Sequence, residues 1–150
     1  MKRIFLMLIV FILTLGAQAQ SLKGYVLGSN TTAPDKEVTT VGGKKGYLEG
    51  RNTDTGILYN ISFTTLFDNI SEVTEFFKLV RKKYDLKDVK DMHDTKRKGI
   101  SFVAKKHNSI YVFNIRDSEK GKYFFTFAIA KSEIQKKEYL KAEQNKLNDF

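Results

Sequence analysis

The side chains able to do chemistry crowd together once along the chain, between Tyr84 and Gly99. Asp85, Asp88, Asp91 and Asp94 recur at every third position around His93, with Leu86, Val89 and Met92 in step between them. Asp91, His93 and Asp94 would offer a cation mixed oxygen and nitrogen donors. Calcium loops, however, space their acids at alternate positions around a central glycine, and zinc sites need more histidine or cysteine than this segment holds. Lys87, Lys90, Lys96, Arg97 and Lys98 interleave with the acids, so the stretch is close to charge balance and reads as a solvated helix or linker. Neither a metal nor a cofactor is expected.

The second of the two histidines, His107, lies beside Asn108 in a turn-forming stretch and has no companion motif. No Gly-x-Ser-x-Gly occurs to present a serine nucleophile. Glu49 and Asp54, at a hairpin end, are no better placed for glycoside cleavage than many surface pairs. Gly42-Gly43-Lys44-Lys45-Gly46 lacks the spacing of a nucleotide fingerprint, and its glycines beside lysines suit an anion nest or, more simply, a tether. The absence of cysteine removes thiolate chemistry, disulfides and any acceptor for a lipid. No catalytic residue is assigned, and the one enzyme reading left is a small hydrolase-like site scattered around His93.

The elements that would position these groups follow from periodicity. Leu22 to Leu27 reads as a short strand, followed by a long polar loop through Pro34 to Gly42-Gly43. Tyr47 to Arg51 and Ile57 to Phe63 flank the turn-forming Asn52-Thr53-Asp54-Thr55-Gly56 and form a hairpin. Val73, Phe76, Phe77, Val80 and Tyr84 then fall at helical spacing behind capping side chains at Asp68 and Asn69, predicting a helix from about Ser71 to Tyr84. Ile100 to Lys105, Ile110 to Ile115 and Lys122 to Ala130 read as a three-stranded antiparallel meander. Ser132 and Gln135 suit a capping box that opens a lysine-rich, weakly amphipathic helix to about Asn145.

The order ββ-α-βββ-α predicts an α+β two-layer sandwich: an antiparallel sheet of about five strands with two helices on one face. Ile57, Tyr59, Ile61, Phe63, Ile100 and Phe102, with the alternate residues from Tyr111 to Ile115 and Tyr123 to Ile129, would face the helices. The opposite face then carries Leu58, Asn60, Ser62, Ser101, Val103, Val112, Asn114, Phe124 and Thr126, together with Ile110 and Ala128, and only Lys105 brings a charge. Solvated sheet faces are normally richer in charge, so this face is expected to be covered by the polar loop, by a second copy or by a ligand. Those nine residues are the candidate contact site.

The first 19 residues read as a cleavable export signal. Lys2 and Arg3 precede an aliphatic run from Ile4 to Leu15, and Gly16-Ala17-Gln18-Ala19 gives the small-residue exit. Twelve apolar residues fall short of the roughly 20 that span a bilayer, so no transmembrane segment is expected after cleavage. The leader's ending in Ala-Gln-Ala-Gln resembles that of exported bacterial proteins, a resemblance confined to the leader. Residues 20–44 then hold the short strand and a flexible loop, and residues 45–150 a single domain. Cleavage takes Lys2 and Arg3 from 26 basic residues and none of the 17 acids, leaving a net charge of about +7.

A basic exported chain favours anionic envelope components or an acidic protein as neighbours. Its aromatic residues fall mainly on the core side, which argues against specific nucleic-acid recognition. The expectation is a periplasmic or secreted, non-enzymatic binding module that uses the neutral sheet face. The enzyme near His93 and a self-associating envelope component are the alternatives, the latter with a homodimer through the same face.

Overall fold

The computed structural model describes residues 20–92 and 99–148. The predicted leader and His93, with Asp94 beside it, lie outside the described residues. Two strands, β1 (Ser21–Leu22) and β2 (Tyr25–Val26), pair with each other. β3 (Glu37–Val41), β4 (Lys44–Asn52) and β5 (Leu58–Phe67) form a meander ahead of α1 (Ile70–Tyr84). A second meander follows, of β6 (Lys90–Met92), β7 (Ile100–Lys106), β8 (Ser109–Asp117) and β9 (Tyr123–Lys131), and the chain closes with α2 (Ser132–Asn148).

The sheet order is β3-β4-β5-β9-β8-β7-β6, with every neighbouring pair antiparallel. The α+β class with an antiparallel sheet and two helices is thus present, but the sheet has seven strands rather than about five. Both extra strands come from stretches expected to be loop or linker. Glu37–Val41 pairs with β4 across Gly42-Gly43, whose φ values of 55° and 79° provide the two left-handed positions that a tight hairpin turn demands. Lys90–Met92 pairs with β7 as a short edge.

α1 crosses the sheet from the end of β5 to the far edge at β6, so β9 returns beside β5 at the centre. The stripe from Val73 through Phe76, Phe77 and Val80 to Tyr84 meets aromatic residues of one sheet face. Phe76 lies 5.4 Å from Phe67 and 5.3 Å from Phe125 between ring centroids, and Phe77 lies 4.7 Å from Phe113. Tyr84 reaches Phe127 at 5.3 Å. Leu22 and Leu27 of the amino-terminal hairpin join the same core, held by the Tyr84 hydroxyl donating to the Ser21 carbonyl at 3.0 Å. Ile100, expected in this layer, is 57 % exposed at the end of its strand.

The expectation of two helices on one face is not met. Gln135 of α2 accepts a hydrogen bond from Asn60 Nδ2 at 3.4 Å. Asn60 alternates with Ile61 and Phe63, which face α1, so α2 starts from the opposite side. The expected capping box is absent for the same reason: Gln135 turns to Asn60, and the Ser132 amide donates to the Asn108 carbonyl at 2.9 Å.

Candidate functional site

Strand register decides which side chains share the face opposite α1, because directly paired residues point the same way. One row runs Tyr47, Thr64, Thr126, Asn114, Ser101 across five strands. On one side of it lies Glu49, Ser62, Ala128, Val112, Val103, and on the other Leu66, Phe124, Arg116. Eight of the nine candidate residues are therefore on one face.

Leu58 is the exception, fully buried in the α1-side core. The β4–β5 register pairs Arg51 with Asn60 but Asn52 with Leu58, which leaves Tyr59 as an extra residue and moves Leu58 out of strict alternation. Gly28 and Ser29 then hold the Leu58 backbone, its carbonyl accepting at 2.7 Å and its amide donating at 2.9 Å.

The face is less neutral than expected from the sequence. β4 adds Tyr47, Glu49 and Arg51, and β8 runs two residues further than expected to bring in Arg116. Each follows the alternation of a residue on the same strand, Arg116 after Asn114 and Glu49 after Tyr47, so the period-2 pattern carries the signal.

Side-chain size gives this face its shape. Ser62, Thr64 and Thr126 are short and floor a depression of about 470 Å³ at the middle of the sheet. Tyr47 and Glu49 rise on one side, Asn114 and Arg116 on the other. Two hydroxyls of the floor, those of Thr64 and Thr126, lie 3.0 Å apart, and on one wall Asn114 Nδ2 donates to the buried Ser101 Oγ at 2.9 Å. Arg116 stacks its guanidinium 5.0 Å from the centre of the Phe124 ring. Among the described residues, neither the Tyr47 hydroxyl nor the half-buried Glu49 carboxylate has a hydrogen-bond or ion-pair partner. A hydroxyl floor between a phenol, a carboxylate and a stacked guanidinium can bind and orient a polar molecule.

A second cavity, of about 370 Å³, opens at the carboxyl end of α1 between Tyr84, Lys106, His107 and Tyr111. Several of its polar groups are engaged in holding the fold. Lys106 Nζ donates to the Tyr84 carbonyl at 2.8 Å and pairs with Asp85 at 3.4 Å, closing the helix end. Ser109 bonds Gln20, and the Tyr84 hydroxyl is spent on Ser21. Burial, with a smaller contribution from Tyr111, pushes the Tyr84 phenol up to about 12, the wrong direction for a base.

His107 occupies the β7–β8 turn at φ 52°, as a turn residue. Asp85 ends α1 in the left-handed conformation, while Asp88 and Asp91 are exposed beyond it. Among the described residues, no three histidine, aspartate or glutamate side chains come together as a metal site would need. No helix among them is long and apolar enough to cross a membrane.

No protein-family model, curated protein or solved structure matches this chain. Its class rests on the fold itself, a seven-stranded antiparallel sheet with one helix packed in its core and a polar trough on the other face.

Proposed function

We propose that the protein is an exported, non-enzymatic binding module that takes a polar ligand across the trough on the sheet face opposite α1. The observation that carries this reading is the contrast within the trough: a self-satisfied hydroxyl floor beneath walls whose Tyr47 hydroxyl and Glu49 carboxylate have no partner among the described residues. A half-buried carboxylate without a donor has lost some hydration with nothing in return, and a ligand hydroxyl or amide would restore it. Export is supported by the charged, aliphatic and small-residue order of residues 1–19.

The chemistry that fits is an envelope glycan. The flat ring of Tyr47 suits the C–H face of a sugar ring, and the carboxylate, amide and guanidinium suit its hydroxyls. The two wall charges are of opposite sign, so the site does not demand a strongly anionic ligand. Titrating the labelled protein with an N-acetylglucosamine tetramer, and separately with peptidoglycan fragments, tests it by amide shifts. Shifts should centre on Tyr47, Thr64, Asn114 and Thr126, and should vanish in Ser62→Trp, which fills the floor. Saturating sugar that leaves those amides unmoved removes the glycan, and shifts centred on Lys106 and His107 move the site to the other cavity.

A further inference from the structure

The two edges of the seven-stranded sheet differ in character. β6 is three residues long and carries Lys90 and Asp91, the shortness and charge that keep an edge from pairing with another chain. β3 is five residues long, and from Val38 through Thr39 and Thr40 to Val41 it is β-branched and uncharged, with Val38 66 % exposed. It holds neither a proline nor a lysine.

The ladder shows which of its backbone groups are free. The Gly50 amide donates to the Pro34 carbonyl at 2.8 Å, on the β3 side of β4. Bonding direction alternates along a strand, so Leu48, Gly46 and Lys44 also turn toward β3, where they are paired with Glu37, Thr39 and Val41. A two-residue turn at Gly42-Gly43 demands the same, since it bonds the residues that flank it to each other. Val38 and Thr40 therefore direct their amides and carbonyls away from the sheet, and nothing among the described residues bonds them there.

We propose that β3 pairs antiparallel with β3 of a second copy about a two-fold axis at Thr39. Val38 then lies opposite Thr40 of the second copy, and Thr40 opposite its Val38, each pair exchanging both backbone bonds, so the free groups of Val38 and Thr40 are satisfied. The side chains agree with this register. On the trough side Val38 packs against a threonine, a β-branched pair that antiparallel strands favour. On the α1 side Thr39 meets its own copy beside Gly46, which has no side chain to obstruct the two hydroxyls. Glu37 meets Val41, so no like charges are opposed. A foreign strand would find the same backbone bonds, but neither the trough nor the cavity at the end of α1 is lined by Val38 or Thr40, so the edge lacks the pockets by which such strands are selected. The contact is isologous and consumes the edge of each copy, so assembly stops at two. A strand pair this short buries less than the roughly 1,200 Å² of a stable interface, so the dimer is weak. Both troughs lie on one side of the joined sheet and stay open.

Sedimentation equilibrium of the protein across a wide concentration range tests the pairing. Thr40→Pro removes an amide that points outward, where proline is tolerated, and leaves the bonds to β4 in place. The donor is lost once from each copy, so association should weaken by about thirtyfold. Val38→Lys, which places on the edge the charge it lacks, should weaken it by about tenfold and serves if the proline variant does not fold, which circular dichroism would establish. A strictly monomeric parent overturns the proposal, as does a dimer that Val38→Lys leaves unchanged. Because the chain lacks cysteine, disulfide formation reads the register directly. Thr39→Cys puts the two thiols across the axis, on backbones about 4.5 Å apart, and should cross-link the protein to itself. Glu37→Cys sets them four residues out of step, about 13 Å apart along the strands, and should not. Equal cross-linking of the two variants overturns the register.

Discussion

The two helices are close in length, 15 residues in α1 and 17 in α2, but they are held by different things. α1 buries Val73, Phe76 and Val80, and both its ends are closed. Asn69 Oδ1 accepts from the Glu72 amide at 3.0 Å, and the amide of Asp85, in the left-handed region at φ 50°, donates back to the last carbonyls. α2 has strong helix formers such as Ala142, Leu140 and its lysines and glutamates, yet it buries no side chain and is tied to the sheet by polar contacts. Local propensity and ion pairs seldom sustain an isolated helix of this length, whereas burial of one face does. The difference teaches that α1 belongs to the folding unit while α2 is available to something else.

The largest effect that would sharpen this comparison is in the core. Phe76→Ala removes a ring that is 5 % exposed and packed against Phe63, Phe67 and Phe125, so it should cost about 3–5 kcal/mol in urea unfolding. Leu140→Ala, at a position 55 % exposed, should stay within about 0.5 kcal/mol of the parent. Comparable losses at both positions would mean that α2 is packed as α1 is.

Hydrogen exchange separates the helices without any substitution. Amides of α1 should approach the protection of the global unfolding reaction, and those beyond Lys141 in α2 should exchange with little more protection than a frayed end. Equal protection in the two helices would mean that α2 belongs to the same cooperative unit as α1.

An element is legible in the amino-acid sequence to the extent that many residues share its signal. Val73, Phe76, Phe77, Val80 and Tyr84 repeat one spacing over three turns, so α1 stands out from periodicity alone. β7, β8 and β9 alternate over long stretches and are equally plain. β3 reads as loop because Glu37-Val38-Thr39-Thr40-Val41 is polar and short, and its one signal is the Gly42-Gly43 turn that follows. The extra residue at Tyr59 shows only in the ladder with β4, which is why strict alternation puts Leu58 on the wrong face. The trough is half legible. Alternation groups Ser62, Asn114 and Thr126 correctly, and the hairpin strand Tyr47 to Arg51 is expected, but only its register with β5 sets Tyr47 beside Thr64 and Glu49 beside Ser62, and Arg116 enters only with the full length of β8.

The carboxyl end of α1 gives a pH signature that arises from burial. In the folded protein the Tyr84 phenol is favoured in its neutral form, with its pKa raised from 10.0 to about 12 by burial first and Tyr111 second. Its contribution is therefore complete below the unfolded value and drains away as pH rises toward the folded one. Discounted for its partial exposure, the loss between about pH 10 and 12 is on the order of 1–2 kcal/mol. Tyr84→Phe gives up the hydroxyl bond to Ser21, costing about 1 kcal/mol at neutral pH. It should also flatten the alkaline decline in urea midpoints, and a slope identical to the parent's would assign that decline to another group.

The amino-terminal cap of α1 carries a smaller term. Asn69→Ala leaves the Glu72 amide without its acceptor and should cost about 1 kcal/mol. Asn69→Asp keeps an acceptor and adds a favourable charge at the helix start, so it should match or slightly exceed the parent. An alanine variant as stable as the parent would mean that water serves this helix end equally well.

The smallest effect is expected where α2 makes its own charged contact. Lys141 pairs with Asp54, which raises the Lys141 pKa chiefly through the hydrogen bond and then through charge. Both groups face solvent, so water competes for each partner and salt screens what remains. Lys141→Ala should leave the urea midpoint of the whole protein unchanged, while exchange of the neighbouring α2 amides quickens, because the helix loses one of its few ties to the β4–β5 turn. A global loss as large as that of Asn69→Ala would place α2 inside the cooperative unit. The contrast between a helix held by its core and one held by a few polar contacts would then no longer stand.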